Sequence, residues 1–195
     1  MSKSMRWVVV LGVLAIIVLW GMNVYNGLAE GQEDIESARS QVENQYQRRA
    51  DMIPNLVTFV KGYANHDQES LEGVIAARAK ATQISIHPEE LTQEQMAAFQ
   101  AAQGELSQAL DRLFAVAERY PEMKANANFR DLQIQLEVAE NRIAVARQYF
   151  NETAKAYNKQ VRRFPSNIIA AMFGYEKTPY FEAESAVKKD PKMEI

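Results

Sequence analysis

Residues 127–163, ANFRDLQIQLEVAENRIAVARQYFNETAKAYNKQVRR, form the most regular pattern in the chain. Large residues recur every seven positions, and a second row, made mostly of small residues, follows each of them by three. Two such rows share one face of an α-helix. Large residues facing small ones permit helix axes to approach to roughly 8–10 Å. The pattern therefore predicts a long helix packed along one seam, with Phe129, Leu136, Ile143, Phe150 and Tyr157 in one row and Leu132, Ala139, Ala146 and Thr153 in the other.

Two further helices are predicted upstream, at about 32–64 and 67–83, because apolar residues recur there at steps of three and four. Pro54 lies inside the first of these. A proline within a helix removes a hydrogen bond and crowds the preceding turn, so we expect a kink or a break near Ile53.

A third bundle helix is predicted between Thr92 and Pro121. The segment TQEQ at its start is typical of a capping box. Apolar residues again recur every seven positions, with Gln103 as a polar exception. No stretch alternates like a strand. Four helices with short connections predict an all-α fold in which an antiparallel four-helix bundle has coiled-coil-like seams.

The N-terminal segment 7–29 carries no charge and is long enough to cross a membrane as a helix, which takes roughly 20 residues. Trp7 lies at one boundary and Trp20 and Tyr25 at the other, as interfacial aromatic anchors do. We therefore expect a single transmembrane helix. Two alternatives are a buried helix of a soluble protein and a signal peptide cleaved after the weak motif Gly-Leu-Ala at 27–29.

The charges that flank this segment predict its orientation. Lys3 and Arg6 precede it, whereas the first basic residue after it is Arg39. The positive-inside rule places the N-terminus in the cytoplasm and the bulk of the chain on the extracytoplasmic side.

The stretch FPSNIIAAMFGY, residues 164–175, is also free of charge but too short to span a bilayer. If four helices alternate in direction, the last one returns toward the membrane. The segment then suits a place in the interface, or contacts between copies, and its alternative is ordinary packing at the end of a bundle. Its candidate residues are Phe164, Ile168, Ile169, Met172, Phe173 and Tyr175.

Composition excludes several kinds of site. The net charge of −3 argues against a nucleic-acid binder, and the lack of cysteine excludes disulfides and thiol chemistry. His66 and His87 have no glutamate three residues before them, so the Glu-x-x-His pairs of di-iron bundles are missing. No nucleotide-binding or hydrolase motif is present. We expect no catalytic, cofactor or metal site.

Arg48, Arg49 and Asp51 lie just before Pro54. One reading is a notch that binds an anion, since a kink frees carbonyl groups and arginine grips anions. The favoured reading is a polar layer within the bundle, in which arginine pairs with Glu137 or Glu140 and fixes the register of the helices.

Three stretches of the chain resemble the LemA family of bacterial membrane proteins: 42–81, which contains QYQRRADMIPNLV, the segment 119–175, and the closing motif PYFEA at 179–183. NVYNGLAEG, residues 23–31, is similar to the juxtamembrane motif of the family, although Gly-Leu-Ala stands where Leu-Val is usual. The resemblance implies an N-terminal anchor in the bacterial cytoplasmic (inner) membrane, followed by a long helical bundle. It implies no particular reaction.

The hypothesis that combines these observations is a non-enzymatic, membrane-anchored scaffold of the cell envelope, which contacts the bilayer, self-associates in its plane and shapes or stabilises it. The alternative is an adaptor that binds another envelope protein, such as a protease or a sensor kinase. The expected layout is 1–6 cytoplasmic, 7–29 transmembrane, 30–164 bundle, 165–183 membrane-proximal and 184–195 flexible tail.

Overall fold

The computed structural model describes residues 3–63, 67–84 and 92–182, and all regular structure in these ranges is helical. The all-α prediction is therefore confirmed for this part of the chain. His66, His87 and the proposed tail 184–195 lie outside the described residues. The helices are α1 (Lys3–Tyr63), α2 (Gln68–Gln83), α3 (Gln93–Ala117), α4 (Pro121–Ala125), α5 (Ala127–Arg162) and α6 (Ser166–Phe173).

Helix α1 differs from the sequence prediction because it joins the apolar segment and the first bundle helix without a break. The helix is continuous at Pro54, so of the kink or break expected near Ile53 the break does not occur. A side chain from another helix bonds to the backbone there. Arg78 of α2 donates from Nε to the carbonyl oxygen of Ala50 at 2.8 Å, and this is the carbonyl that Pro54, lacking an N–H, leaves without its helical donor.

The start of α3 follows the sequence prediction, whereas its end adds an element. The Thr92 side chain accepts a hydrogen bond from the backbone N–H of Gln95, which caps the helix. Pro121 was expected only to end this helix. It lies instead in the first turn of the short helix α4, where a proline ring fits because the missing N–H has no helical partner.

The chain divides into two compact units. The anchor unit comprises Met1–Ala38 and Glu152–Thr178, and the core unit comprises Arg39–Asn151 and Pro179–Ile195. In the anchor unit, buried residues are few and include Leu28, Ile35, Ala154, Tyr157 and Ala170.

The core unit contains the main hydrophobic cluster, to which α1, α2, α3, α4 and α5 all contribute. Aromatic contacts join its helices: the ring centroids of Phe59 and Phe129 are 5.9 Å apart, and those of Tyr46 and Phe99 are 5.0 Å apart. Burial of each large apolar side chain stabilises the fold by roughly 1.5–3 kcal/mol. The most deeply buried members are Ile53, Leu56, Val60, Val74, Leu106, Leu113, Met123 and Phe129.

Candidate membrane-proximal site and buried polar layer

The apolar part of α1 is exposed, which separates it from the core helix of a soluble protein. It is the one helix among the described residues that is long and apolar enough to cross a membrane. Trp7 is 66% exposed and Ile16 68%, while Trp20 and Tyr25 near the far end are 37% and 39% exposed. Such a run of exposed apolar residues is stable only when something other than water covers it.

Helix α6 lies beside the end of this apolar run. The Cδ1 atom of Ile169 is 3.7 Å from the point that a Cβ atom on Gly21 would occupy. The Tyr25 ring makes edge contacts with Phe173, at a centroid distance of 4.8 Å, and with Tyr175, at 5.9 Å. The two helices therefore lie within ordinary van der Waals distance of each other at Gly21.

Gly174 ends α6 in a left-handed conformation with φ of 74°, which a residue with a side chain adopts at a cost. The backbone N–H of Tyr175 then bonds to the carbonyl of Ala170 at 2.9 Å. This turn carries the chain back past Tyr25. A short helix of eight residues is therefore held at both its packed face and its C-terminus.

The other face of α6 is exposed and apolar. Ile169, Tyr175 and Ala170 are buried or half-buried, whereas four of the residues named from the sequence remain open to solvent. Those four are Phe164 (76% exposed), Ile168 (49%), Met172 (70%) and Phe173 (58%). The segment therefore has one side packed against α1 and an outer side, with Phe164, Ile168 and Met172, that is open to solvent, while the partly exposed Phe173 lies at the edge between them, where its ring contacts Tyr25.

A groove of about 550 Å³ lies next to this helix within the anchor unit. Its apolar floor includes Val24 and the fully buried Leu28. Lys159 and Arg163 line it together with a single acidic residue, Glu30. The groove is therefore weakly cationic and mixes polar and apolar walls, as a site for the headgroup and upper chain of a lipid does.

Two further contacts fix the C-terminal part of α5, which belongs to the anchor unit. A Cβ atom on Gly31 would lie 3.0 Å from Cδ2 of Tyr157, so a methyl group there would require the ring to shift by a few tenths of an ångström. Burial raises the pKa of Tyr157 above its ordinary value. The Asn158 side chain donates to the carbonyl of Thr178 at 2.8 Å and accepts from its N–H at 2.9 Å.

Arg49 occupies the centre of a buried polar layer in the core unit. It is 1% exposed. Its guanidinium forms an ion pair with Glu140 of α5 and hydrogen bonds with Ser107 Oγ at 2.8 Å and Gln103 Oε1 at 2.7 Å on α3. It also lies over the Tyr46 ring at 5.3 Å from the centroid. An arginine fork suits this arrangement because its donors diverge in one plane.

Gln103, the polar exception in the α3 pattern, belongs to the same layer. Its Nε2 donates to the carbonyl of Ala81 in the last turn of α2 at 3.1 Å, while its Oε1 accepts from Arg49. Of the other two residues named with Arg49, Arg48 is exposed, and Asp51 is exposed and accepts a bond from Gln47 at 2.7 Å. The three residues thus do not act as one group.

The closing aromatic motif provides a contact that the sequence patterns did not indicate. Phe181 is 4% exposed, and its centroid lies 5.1 Å from that of Phe150 and 6.5 Å from that of Phe99. Asn151 donates to the Phe181 carbonyl and accepts from its N–H, both at 2.9 Å. Arg147 covers the other side of the ring at 5.5 Å. Phe181 therefore packs within the core unit.

Within the ranges that the structure describes, no three side chains of histidine, aspartate or glutamate come together in a way that could hold a metal ion. In the buried polar layer, both terminal guanidinium nitrogens of Arg49 bond to groups of the layer, whereas its Nε is buried without a hydrogen-bond partner among the described residues. The geometry of the layer fits a structural connection between helices.

The helical architecture agrees with comparisons with known proteins. A model of the LemA family matches residues 38–195. The chain is 30% identical to magnetosome protein MamQ 2 of Paramagnetospirillum magneticum, over 91% of this chain and 71% of that protein. It is 27% identical to magnetosome protein MamQ of Magnetospirillum gryphiswaldense with the same coverage, and 23% identical to protein LemA of Metamycoplasma hominis, over 85% of this chain and 72% of that protein. The resemblance noted in the sequence is thus confirmed, and the chain belongs to the LemA family.

Proposed function

We propose that this protein is a non-enzymatic scaffold of the bacterial cytoplasmic membrane, in which one transmembrane helix presents an antiparallel four-helix bundle and α6 contacts the lipid interface. The observation that carries the proposal is the place of α6: it packs against Gly21 and Tyr25 of the anchor with its apolar outer face uncovered.

The antiparallel arrangement is supported by contacts within the core unit. Arg49 of α1 meets Glu140 of α5, and ten residues further along α1, Phe59 meets Phe129. As the number rises on one helix, it falls on the other. Helices that run in opposite directions make contacts in this order.

Helices α2 and α3 support the arrangement in the same way. Lys80 near the end of α2 pairs with Glu105 in α3 at 2.6 Å. Asp67 before α2 pairs with Arg119 after α3 at 2.7 Å. The start of one helix therefore lies next to the end of the other.

The position of α6 along the anchor argues for lipid contact. Gly21 and Tyr25 follow Trp7 by 14 and 18 residues, which is about 21–27 Å of helix. A hydrocarbon core is about 30 Å thick, so α6 would lie at the depth where the far leaflet gives way to headgroups. Amphipathic helices at this depth bury an apolar face between headgroups and chains, and Lys159 and Arg163 in the adjacent groove would attract anionic headgroups.

Reconstitution into vesicles of phosphatidylethanolamine and phosphatidylglycerol tests this role. Ile168→Asp/Met172→Asp places charges on the outer face of α6, and Asn167→Asp adds one charge at an exposed polar position of the same helix as a control. We expect the wild type and the control to change vesicle size and shape in electron micrographs, and the double variant to lose this effect while its circular dichroism stays the same. If the double variant remodels vesicles as the wild type does, membrane shaping through α6 is wrong.

Depth is measured separately. With Trp7 and Trp20 replaced by phenylalanine, Met172→Trp supplies the one indole of the chain, and lipids brominated at known carbons report its depth by quenching. We expect quenching by bromines near the headgroups. Quenching by none of the bromines would place α6 in water and overturn its lipid contact.

Orientation is tested with single thiols, since the chain has no cysteine. Lys3 and Arg6 before the anchor support a cytoplasmic N-terminus. In spheroplasts, a membrane-impermeant maleimide should label Gln133→Cys, at an exposed position of α5, and leave Ser4→Cys unlabelled. The opposite pattern would place the bundle in the cytoplasm.

Self-association and the absence of catalysis complete the proposal. Anchoring confines copies to a plane, so weak lateral contacts suffice for assembly. Cross-linking in native membranes should give ladders of this chain, and monomers alone would contradict the scaffold. A single foreign protein captured in fixed stoichiometry would favour an adaptor instead. Turnover by purified protein that is lost on one side-chain change would contradict the non-enzymatic assignment.

A further inference from the structure

Helix α5 has a second apolar stripe, on the side away from its buried seam. Four large apolar residues on this stripe are exposed to a degree unusual for a well-packed helix. They are Ile134 (57% exposed), Val138 (42%), Val145 (67%) and Tyr149 (48%). All belong to the core unit, and none is part of the pattern that predicted the core side of this helix.

The spacing of the stripe is that of a helix pair. Positions 134, 138, 141, 145 and 148 alternate in steps of four and three, which is the period of the contact positions in a two-stranded coiled coil. Ile134, Val138 and Val145 hold three of these five positions, and Asn141 and Gln148 are the polar members. Valine at 138 and 145, the two positions equivalent to a, suits a two-stranded pair, and the polar side chains at 141 and 148 each meet their own counterpart when the helices pair in register.

The charges beside the stripe match a parallel pair of identical helices. Glu137 and Arg142 are both exposed and lie five residues apart on the two flanks of the stripe. Consider a residue that directly precedes a contact position, as Glu137 precedes position 138. In a parallel pair in register, it faces the residue five positions later in the sequence of the partner helix. Glu137 of one copy would therefore face Arg142 of the other, twice by symmetry. An antiparallel pair would not bring these two residues together.

A groove next to the stripe has an unsatisfied polar atom. The groove has a volume of about 560 Å³ and is lined by Val138, Val145 and Tyr149 of α5 and by Gln41 and Gln45 of α1. Oε1 of Gln45 is buried and accepts no hydrogen bond from the described residues. A buried acceptor without a donor is unfavourable, so a donor from a second molecule would stabilise this site.

We infer that this stripe is the surface through which two copies of this chain associate, with their α5 helices parallel and in register. Copies inserted through the same N-terminal anchor share one orientation in the membrane, so equivalent helices of neighbouring copies run in the same direction. The pair is isologous, because residue 137 of each copy meets residue 142 of the other. This inference rests on the self-association in the proposed function and assigns it to one surface.

Single thiols test the register. In a parallel pair in register, Val145 of one copy lies next to Val145 of the other. Val145→Cys in proteoliposomes should therefore give a covalent dimer with a short bis-maleimide. Gln133→Cys is the matched control, because position 133 is exposed on the same helix but lies about 120° around it. Equal cross-linking of both variants would overturn the assignment.

Charge reversal tests the pairing independently of cross-linking. Glu137→Arg and Arg142→Glu should each lower dimer affinity in liposomes by roughly fivefold to tenfold, since each replaces two exposed attractions by repulsions. The double reversal Glu137→Arg/Arg142→Glu should restore it. Fluorescence energy transfer between labelled copies in liposomes gives the dimer fraction. Single variants that associate as the wild type does would overturn the pairing.

Val138→Asp/Val145→Asp separates this surface from self-association in general. Loss of the dimer in this variant, with unchanged circular dichroism, supports the stripe. Persistence of the wild-type oligomers in this variant would show that copies associate through another surface and would refute the stripe while leaving the scaffold. A monomeric wild type in the same liposomes would refute both, and stoichiometric binding of a foreign protein to the stripe would refute pairing of copies.

Discussion

Arg78 of α2 supplies the hydrogen bond that Ala50 of α1 loses to a proline. The donor Nε lies 2.8 Å from the carbonyl oxygen, and the proline is Pro54, four residues after Ala50. An orphaned carbonyl in a helix next to a core ordinarily weakens that helix. Here the side chain of a neighbouring helix replaces the missing donor, so α1 continues and α2 is held against it at one point.

The first prediction concerns the Arg78 side chain, which donates in place of the backbone N–H that Pro54 lacks. Arg78→Met should lower the free energy of unfolding by about 1.5–3 kcal/mol, because the bond has a charged donor. In a Pro54→Ala background, the backbone N–H of residue 54 returns, and Arg78→Met should cost less. Urea unfolding of the four proteins in detergent gives the coupling energy, and Arg48→Met on the exposed side of α1 is the control. Equal costs of Arg78→Met in both backgrounds would contradict the account.

The second prediction concerns the ion pair between Arg49 and Glu140. Glu140→Ala leaves a buried guanidinium without an opposite charge and should cost about 1–3 kcal/mol, below the cost for a fully buried pair because the Glu140 side chain is 44% exposed and water screens it. Arg49→Met/Glu140→Ala removes both charges, so it should be more stable than Glu140→Ala alone. Thermal and urea unfolding measure the difference. A double variant that is less stable than Glu140→Ala would mean that Arg49 contributes mainly through Ser107 and Gln103.

The third prediction compares two glycines. Gly31→Ala would place a methyl group 3.0 Å from Cδ2 of the buried Tyr157, and the overpacking should cost about 1–3 kcal/mol. Gly104→Ala in α3 meets nothing within 4 Å and should stabilise by up to about 1 kcal/mol, since alanine favours helix. The two midpoints of unfolding should move in opposite directions. A gain for both would mean that the Tyr157 ring yields easily.

The fourth prediction concerns the docking of Phe181. Asn151→Ala removes both of its hydrogen bonds to the Phe181 backbone and should cost about 2 kcal/mol, at about 1 kcal/mol for each bond. Asn151→Asp keeps the acceptor for the N–H but places a carboxylate against the carbonyl. Amide hydrogen exchange at Phe181 should accelerate in both variants and stay unchanged in Gln133→Ala. Unchanged protection in Asn151→Ala would show that the ring contacts alone hold the segment.

The fifth prediction concerns pH. The Tyr120 hydroxyl donates to Asp67 at 2.7 Å, and this bond is the largest cause that raises the pKa of Tyr120 above 10.0. A tyrosine whose pKa is higher in the folded state stabilises it fully below the unfolded pKa, and this stabilisation is lost as the pH rises through the folded pKa. The stability advantage of the wild type over Tyr120→Phe should therefore be constant below pH 10 and decline above it. An advantage that does not change at high pH would contradict the bond.

The buried side of the long helices could be predicted from the sequence because helix geometry alone decides which residues share a face. Phe129, Leu136, Ile143, Phe150 and Tyr157 are all buried, as their period of seven predicts. Gln103 could be recognised as an exception but not explained, because its partners Arg49 and Ala81 are far from it in sequence. A periodic pattern carries no information on which distant groups meet.

Other features escaped prediction for the same reason or because a signal has two meanings. A proline within an apolar pattern predicts a kink or a break, and nothing in the sequence indicates that the Arg78 side chain bonds to the carbonyl that this proline leaves without a donor. Pro121 marks the end of α3 but equally suits the first turn of α4. Phe181 lies in the stretch that was predicted to be membrane-proximal, whereas its contacts with the rings of Phe150 and Phe99 and with the amide of Asn151 place it in the core unit. The one sign of this contact in the sequence is the position of Asn151, two helical turns before Asn158, whose amide bonds to the backbone of Thr178 in the same way.

The packing of α6 against Gly21 and Tyr25 has a practical meaning for biochemistry. A shortened polypeptide that starts at residue 30 would lose more than its attachment to lipid. Ile169, Phe173 and Tyr175 would lose the surface that they contact, and the eight-residue helix would expose apolar side chains on all sides. Such a polypeptide would aggregate or bind detergent, and it would become soluble only when residues 164–175 were removed as well.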